Sequence, residues 1–412
     1  MKNIREYRID NSAKYIFLDN ERICESWKNK SKIWGDPLHR TCSYNAMFPI
    51  RLADFFIRNY SNENDVVLDP FSGRGTTLLQ ARILNRKSYA SDLNPLSFVL
   101  SKSKEKNIDL CKILTRLKEL EYEWILEKEK ESYLIKILDL DKMKIYYSEH
   151  NLLQLSFLRE KIGKNWLMND DINNFILSIV LGLMHGPSRK DRTSAYFSLS
   201  MSNNVSMSPN YVKEYAKKNF LEKPVSNIFE LIVDKILKIY KKRTKELIQS
   251  KLNAEFRFSN ALYISNTWKD IKPKLIFTSP PYLNIINYTK QNWIKMWMLG
   301  YERNEDIKKI GLDDFHNEYS YINNFLIKFM IECRLLMTDN SKLIMVIGDV
   351  IKGKKIFSIM NHIDYIQQET KLSLVEIYTD DVTQSSKTTN SHGIKAGKAT
   401  QIERIYVFEK SK

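Results

Sequence analysis

The stretch Val66 to Thr77, VVLDPFSGRGTT, constrains the fold more than any other part of the chain. A hydrophobic run ends in Asp69, two glycines follow, and helix-forming sequence begins at Leu78. This order predicts a buried strand, a tight turn and the beginning of a helix. Gly73 and Gly75 permit positive φ and let a ligand approach the backbone, and the helix amides behind them favour polar groups.

Two further strand predictions end in residues that can carry chemistry. Ser88 to Pro95, SYASDLNP, reads as a short strand that ends in Asp92, and an acid at the tip of a second strand is the usual contact for a nucleoside ribose. Lys274 to Tyr282, KLIFTSPPY, reads as a hydrophobic strand that runs into two prolines. Consecutive prolines fix φ and remove two donors, so this turn presents its carbonyls in a rigid frame.

Together, DPFxGxG and TSPPY resemble the motifs of the amino-group DNA methyltransferases that use S-adenosylmethionine, and the SPPY form resembles the N4-cytosine branch. The resemblance implies an α/β fold of the class I methyltransferase (Rossmann-like) type, a doubly wound sheet, here with a large, mainly helical insertion. It divides the chain into an N-terminal segment with the cofactor-binding half (1–101), the insertion as a candidate target-recognition domain (102–251), and the catalytic half (252–412).

The resemblance also assigns cofactor contacts. Phe48-Pro49 and the following helix would cover the methionine end, although a helix that only packs on the sheet fits equally well. Asp69 would contact the amino-acid end or cap the turn, Asp92 would bind the ribose, and Asn260 would contact adenine where the commoner residue is Asp. The complete set is Phe48, Pro49, Asp69, Pro70, Phe71, Ser72, Gly73, Gly75, Thr76, Thr77, Asp92, Leu93, Asn94, Asn260 and Ala261.

Catalysis is expected at Ser279, Pro280, Pro281 and Tyr282. The exocyclic amine of cytosine is a poor nucleophile, so acceptors on its hydrogens, the Ser279 hydroxyl and the Pro280 carbonyl, would localise its lone pair. Tyr282 would stack on a base swung out of the duplex. This chemistry needs neither a metal nor a covalent intermediate. C5-cytosine methylation is disfavoured, since it uses a thiolate that normally follows a proline, and none of the four cysteines follows one.

Charge favours a polyanionic partner, and the resemblance implies that this partner is double-stranded DNA with a flipped target base. The chain has 65 Lys+Arg against 49 Asp+Glu, a formal charge of +16, although solubility explains part of such an excess. Within the insertion, residues 171–251 hold 14 basic and 7 acidic residues, and Ser198 to Tyr211 is rich in Ser, Asn and Met. DNA contacts are expected there and in the polar loop 382–401, or these stretches are solvated loops. The candidates are Arg189, Lys190, Arg192, Lys213, Lys387 and Lys395.

Three alternatives stay open: N6-adenine methylation, an RNA amino-group methyltransferase, and a non-catalytic DNA-binding protein on a decayed scaffold. His185 and His392, each before a glycine, are interpreted as turn or phosphate-contact residues. The sequence has no membrane-length apolar run and no signal peptide, so a cytoplasmic enzyme is expected. A restriction-modification system, with a cognate endonuclease acting on the same site, would be its setting.

Overall fold

The structure is a computed structural model of all 412 residues. It describes the chain apart from residues 1–3, 10–14, 19–20, 26–29, 32–33, 45–48, 128–132, 134–135, 138–139, 190, 192, 284–290, 312–316, 353–354, 382–389, 392–393, 396–399 and 412.

The described residues form one main sheet of nine strands and two small two-stranded sheets. The strands are β1 (Arg5–Ile9), β2 (Tyr15–Leu18), β3 (Glu21–Glu25), β4 (Val66–Asp69), β5 (Lys87–Asp92), β6 (Ala254–Phe258), β7 (Leu275–Thr278), β8 (Lys342–Lys352), β9 (Lys355–Phe357), β10 (Leu372–Asp381), β11 (Asn390–Ser391), β12 (Ile394–Lys395) and β13 (Thr400–Lys410). The main sheet runs in the order β1-β10-β13-β8-β7-β4-β5-β6, with β9 paired to β8.

The strand directions identify the fold. Neighbours from β8 through β7, β4 and β5 to β6 are parallel, whereas β13 is antiparallel to both β8 and β10. The strand order reverses at β4. Strands β5 and β6 extend the sheet on one side of β4, and the next strand in the chain, β7, pairs with β4 on its other side. A doubly wound sheet with one reversed strand near its edge is the class I methyltransferase fold, and the predicted fold class is confirmed.

Helices cover both faces of this sheet. They are α1 (Ile50–Tyr60), α2 (Thr76–Ile83), α3 (Pro95–Lys102), α4 (Leu110–Glu127), α5 (Leu140–Tyr146), α6 (Glu149–Leu158), α7 (Asp171–Leu183), α8 (Pro209–Asn219), α9 (Ile228–Lys241), α10 (Lys245–Gln249), α11 (Ile264–Thr267), α12 (Trp293–Met298), α13 (Asn304–Lys308), α14 (Ile327–Leu336) and α15 (Ile363–Thr370). Strand side chains alternate between the faces, so Val67 packs with α1 whereas Leu68 packs with α14.

The insertion begins and ends close to the predicted positions. Helix α3 ends at Lys102 and β6 begins at Ala254, with α4 to α10 between them. The helices of the insertion do not form a separate core. Their buried residues belong to the same hydrophobic cluster as Leu78 of α2 and Val99 of α3. The insertion is therefore packed directly on the cofactor-binding half.

Two further elements lie outside the sequence motifs. Near the beginning of the chain, β1 extends the sheet beside β10 in parallel register. A π-helical segment, Ser320–Leu326, leads directly into α14. The loop predicted at 382–401 lies mostly outside the described residues, although β11 and β12 pair within it.

Candidate active site

The predicted cofactor turn links the end of β4 to the beginning of α2. Gly73 and Gly75 both have left-handed backbone, with φ of +52° and +77°. A Cβ atom on Gly75 would lie 3.1 Å from the Ser101 Oγ and 3.2 Å from the Ser101 Cα. Both the φ angle and this close approach require glycine at position 75, because the backbone of α3 cannot move aside. The tight turn predicted between the strand and the helix is therefore present, and its role in binding the cofactor stays a prediction.

Asp69 ends β4 and is buried. Its Oδ1 accepts hydrogen bonds from the Thr278 hydroxyl at 2.6 Å and the Phe71 amide at 3.1 Å. Burial raises the pKa of Asp69 to about 6, opposed by the hydrogen bond from Thr278. Since Thr278 immediately precedes Ser279, this contact joins the cofactor turn to the predicted catalytic turn. The two motifs, more than two hundred residues apart in sequence, are neighbours in space.

Asp92 ends β5 and remains half-buried. Its two carboxylate oxygens accept from the Gly73 amide at 2.8 Å and the Asn94 amide at 2.9 Å. Burial raises the pKa of Asp92, while these backbone hydrogen bonds oppose the rise. Each carboxylate oxygen has further lone-pair capacity, so the acid can hold the turn and still accept from ligand hydroxyls.

The remaining residues predicted to bind the cofactor differ in how far they are buried and in whether their side chains already have partners in the protein. Pro70, Ser72, Thr76 and Thr77 are buried in the turn, whereas Phe71, Leu93 and Pro49 are half-buried. Asn94 is buried, where its Oδ1 caps α3 and its Nδ2 donates to the Tyr44 hydroxyl at 3.0 Å. The Asn94 side chain is thus already used within the protein. Phe48 lies outside the described residues.

Asn260 follows β6 at the same edge of the sheet. Its Oδ1 accepts from the Leu262 amide at 2.9 Å and caps the short helical turn Ala261–Tyr263. The side chain is half-buried, whereas Ala261 is buried. An amide differs here from the usual acid, because its oxygen serves the cap while its NH2 group can donate to a ligand.

The predicted catalytic turn follows β7. The Ser279 hydroxyl donates to the Val346 carbonyl of β8 at 3.0 Å. Pro280 is buried and Pro281 half-buried, and the Pro281 carbonyl accepts from the Tyr321 hydroxyl at 2.9 Å. Tyr282 is half-buried, and burial, with a contribution from the Glu403 carboxylate, raises its pKa well above the ordinary value. Tyr282 is therefore a neutral phenol with part of its surface accessible.

The DNA-contact candidates are only partly described. Arg189 is exposed, and its guanidinium donates to the Thr193 hydroxyl at 3.2 Å. Lys213 is exposed on α8, beside an open groove. Lys190, Arg192 and Lys387 lie outside the described residues, and for Lys395 only the backbone in β12 is described.

Two support residues were missed by the sequence interpretation. The Tyr44 ring covers Gly73, where a Cβ atom would meet it at 3.4 Å. Lys104 is fully buried and donates to the carbonyls of Arg74, in the cofactor turn, and Leu100. Burial, then the neighbouring Arg74, lowers the pKa of Lys104 to about 7. Neither residue belongs to a motif, so no local signal could have identified it.

The phosphate-contact interpretation of His185 is wrong, because its ring is only 1% exposed and both nitrogens have protein partners. His392 lies outside the described residues. Among the residues that the structure describes, no group of three His, Cys, Asp or Glu side chains could hold a metal. In that same part of the chain, none of the helices has the length and apolar character that a membrane crossing requires.

The known proteins to which this chain is similar are methyltransferases. The N6/N4 methyltransferase family model, described as DNA methylase, matches residues 6–103. The type II methyltransferase M.MvaI of Kocuria varians is 23% identical over 67% of this chain and 59% of its own length. M.MjaII of Methanocaldococcus jannaschii is 22% identical over 76% of this chain and 72% of its own. M.BamHI of Bacillus amyloliquefaciens is 36% identical over 84 residues, 19% of this chain and 20% of its own length.

The chain therefore spans less than two thirds of M.MvaI and rather more of M.MjaII. The family match and the fold imply S-adenosylmethionine as the methyl donor. The chain is thus similar to type II methyltransferases, and its N-terminal quarter matches the DNA methylase family model.

Proposed function

We propose that this protein is a site-specific methyltransferase that modifies the exocyclic N4 of cytosine in double-stranded DNA. The contact that carries the proposal is the hydrogen bond from the Ser279 hydroxyl to the Val346 carbonyl. Because the hydroxyl proton is directed at Val346, the Ser279 oxygen can act as an acceptor, although it also shares a side-chain hydrogen bond with Tyr282. An acceptor beside the cofactor turn is what an amine nucleophile needs.

S-adenosylmethionine, when bound, supplies an electrophilic methyl group on a sulfonium. The residues that would hold it are the glycine turn, Asp92 at the ribose, and Asn260 with Ala261 at the adenine. These positions fit, since both glycines supply the left-handed backbone of the turn and Asp92 retains acceptor capacity. The hydrogen bond between Thr278 and Asp69 holds the glycine turn of the cofactor site next to the catalytic turn.

Ser279 and the Pro280 carbonyl would accept the two amine hydrogens and localise the nitrogen lone pair. Tyr321 holds the Pro281 carbonyl, so the turn is fixed before the substrate arrives. The half-buried Tyr282 would stack on the target base after it leaves the duplex. Proton loss from the methylated amine to solvent completes the reaction, so no strong base is needed.

The small, neutral oxygen of Ser279 supports a pyrimidine amine, whereas adenine enzymes mostly place a carboxamide or carboxylate there. N6-adenine methylation is the alternative. DNA methylated by the purified protein should be digested to nucleosides and weighed by mass spectrometry. We expect N4-methyldeoxycytidine. Recovery of N6-methyldeoxyadenosine alone would refute the base assignment, and an absence of any methylated nucleoside would refute the enzyme class.

The setting that this activity suggests is a restriction-modification system in the cytoplasm, with an endonuclease acting on the same site. The insertion supplies the candidate recognition surface, where Arg189 and Lys213 are exposed. Methylation-aware sequencing of DNA from cells that express the gene would report both the recognition sequence and the modified base.

A further inference from the structure

A buried lysine, Lys295, connects three parts of the chain that are distant in sequence. Lys295 lies in α12, which follows the catalytic turn in sequence, and only 1% of it is exposed. Its ammonium donates to the Ser43 carbonyl at 2.8 Å and the Asn203 carbonyl at 3.3 Å. Ser43 precedes the cofactor-binding half, and Asn203 belongs to the insertion. One cation thus bridges the catalytic half, the N-terminal segment and the insertion.

His185 fixes the same part of the insertion from the other side. Its Nδ1 lies 2.7 Å from the Ser202 carbonyl, and its Nε2 lies 3.2 Å from the Ser206 hydroxyl. Because a carbonyl only accepts, Nδ1 carries the hydrogen and Nε2 accepts from Ser206. Burial, and then the charge of Lys295, lowers the pKa of His185 to about 3, so the ring stays neutral.

Ser206 also forms hydrogen bonds with residues at and just before the beginning of α12, which follows the catalytic turn in sequence. Its amide donates to the Gln291 carbonyl at 2.7 Å, and its hydroxyl accepts from the Ile294 amide at 3.4 Å. Residues 202–206, which we name the bridging segment, are therefore bonded to His185 on one side and, on the other, to α12 and to Gln291, two residues before it. DNA contacts were expected in the polar stretch from Ser198 to Tyr211. Ser206 of this stretch instead bonds the insertion to the catalytic half.

The contacts continue to the cofactor turn. A Cβ atom on Gly182 of α7 would lie 2.0 Å from the Thr41 carbonyl, so the insertion packs against the backbone there. Three residues later, Tyr44 covers Gly73 and accepts from Asn94. A shift of the insertion would thus act both on the cofactor turn and on α12.

From these contacts we infer that Lys295 and His185 are positioning residues that couple DNA recognition by the insertion to the cofactor and catalytic turns. The inference rests on the proposed function. A merely structural polar cluster would stabilise the fold, but it would not link the affinities for two ligands. If the two sites are coupled, DNA bound to the insertion must change the affinity of the protein for the cofactor.

The test measures binding of the unreactive product S-adenosylhomocysteine by calorimetry, with and without a duplex that carries the recognition sequence. We expect the duplex to tighten binding by roughly tenfold in the wild type. In Lys295→Met this ratio should approach one, and single-turnover methylation should slow by about tenfold or more, while affinity without DNA changes by less than about threefold. Ser206→Ala, a smaller change, should lower the ratio in the same direction.

Lys274→Met is the matched control. Lys274 also donates to a carbonyl, that of Asn340 at 2.9 Å, but it precedes β7 at the opposite edge of the sheet. It should keep both the ratio and the rate. A ratio of one in the wild type, or an unchanged ratio and rate in folded Lys295→Met and Ser206→Ala, overturns the inference. If Lys295→Met does not fold, Ser206→Ala decides. Failure of the wild type to methylate any DNA refutes the proposed function instead.

Discussion

Replacement of Ser279 by alanine separates catalysis from cofactor binding. The variant loses one acceptor for the target amine, and loss of one preorganised hydrogen-bond partner of a transition state typically lowers turnover by about a hundredfold, or ~2.7 kcal/mol. It also leaves the Val346 carbonyl without the 3.0 Å bond, which would reduce stability by only about 1 kcal/mol. Cofactor affinity should be unchanged, because Asp69 and Thr278 keep their contact.

Single-turnover methylation of a duplex with the recognition sequence measures the chemical step, and calorimetry measures the cofactor affinity. Ser341→Ala is the matched control, since the Ser341 hydroxyl donates to the Pro273 carbonyl at 2.6 Å across the same pair of strands, at their opposite end. It should lose stability but no activity. A near-normal rate in folded Ser279→Ala would show that the Pro280 carbonyl suffices. An equal loss of rate in both variants would mean that only structural integrity was measured.

Three further predictions concern the cofactor site and the DNA surface. Asp92→Ala should weaken cofactor binding by about 1–3 kcal/mol, and unchanged affinity by calorimetry would contradict the ribose assignment. Arg189→Ala should lower the slope of DNA affinity against salt concentration by about one unit, and an unaltered slope would remove this arginine from the interface. Burial raises the pKa of Asp69 from 3.8 to about 6, so the folded apoprotein holds this proton more tightly than the unfolded chain. Its stability should fall by up to about 3 kcal/mol as pH rises through that interval, and urea unfolding of Asp69→Asn should not show this contribution.

The local sequence pattern was sufficient to predict the parts of the site that consist of a strand end and the turn after it. The run from Val66 to Thr77 predicted β4, the turn and α2, because glycines and hydrophobic periodicity act within a few residues. The proximity of the catalytic turn followed only through the family resemblance. Its physical basis is the parallel pairing of β4 with β7, which brings Asp69 and Thr278 to one edge.

Long-range contacts set the roles that the sequence could not reveal. Lys104 stands among polar residues that are typical of a solvated surface, and Lys295 interrupts the apolar run of α12, yet both are fully buried and donate to backbone carbonyls. His185 appeared to belong to an exposed loop, because the glycine, proline and charged residues after it are typical of a surface turn. The packing of the insertion on the cofactor half decides their burial, and no local rule anticipates that packing.

The cofactor turn shows why such support residues matter for interpreting variants. Asp92 holds the Gly73 amide, Tyr44 covers the same glycine, and Lys104 holds the Arg74 carbonyl. The turn is thus shaped by the protein before any ligand binds, which reduces the ordering that binding requires. It follows that Asp92→Ala removes two functions together, an acceptor for the ligand and the bond that holds Gly73. A change at Lys104 disturbs the turn without removing any predicted ligand contact. Comparing their cofactor affinities therefore distinguishes direct recognition from the preorganisation that supports it.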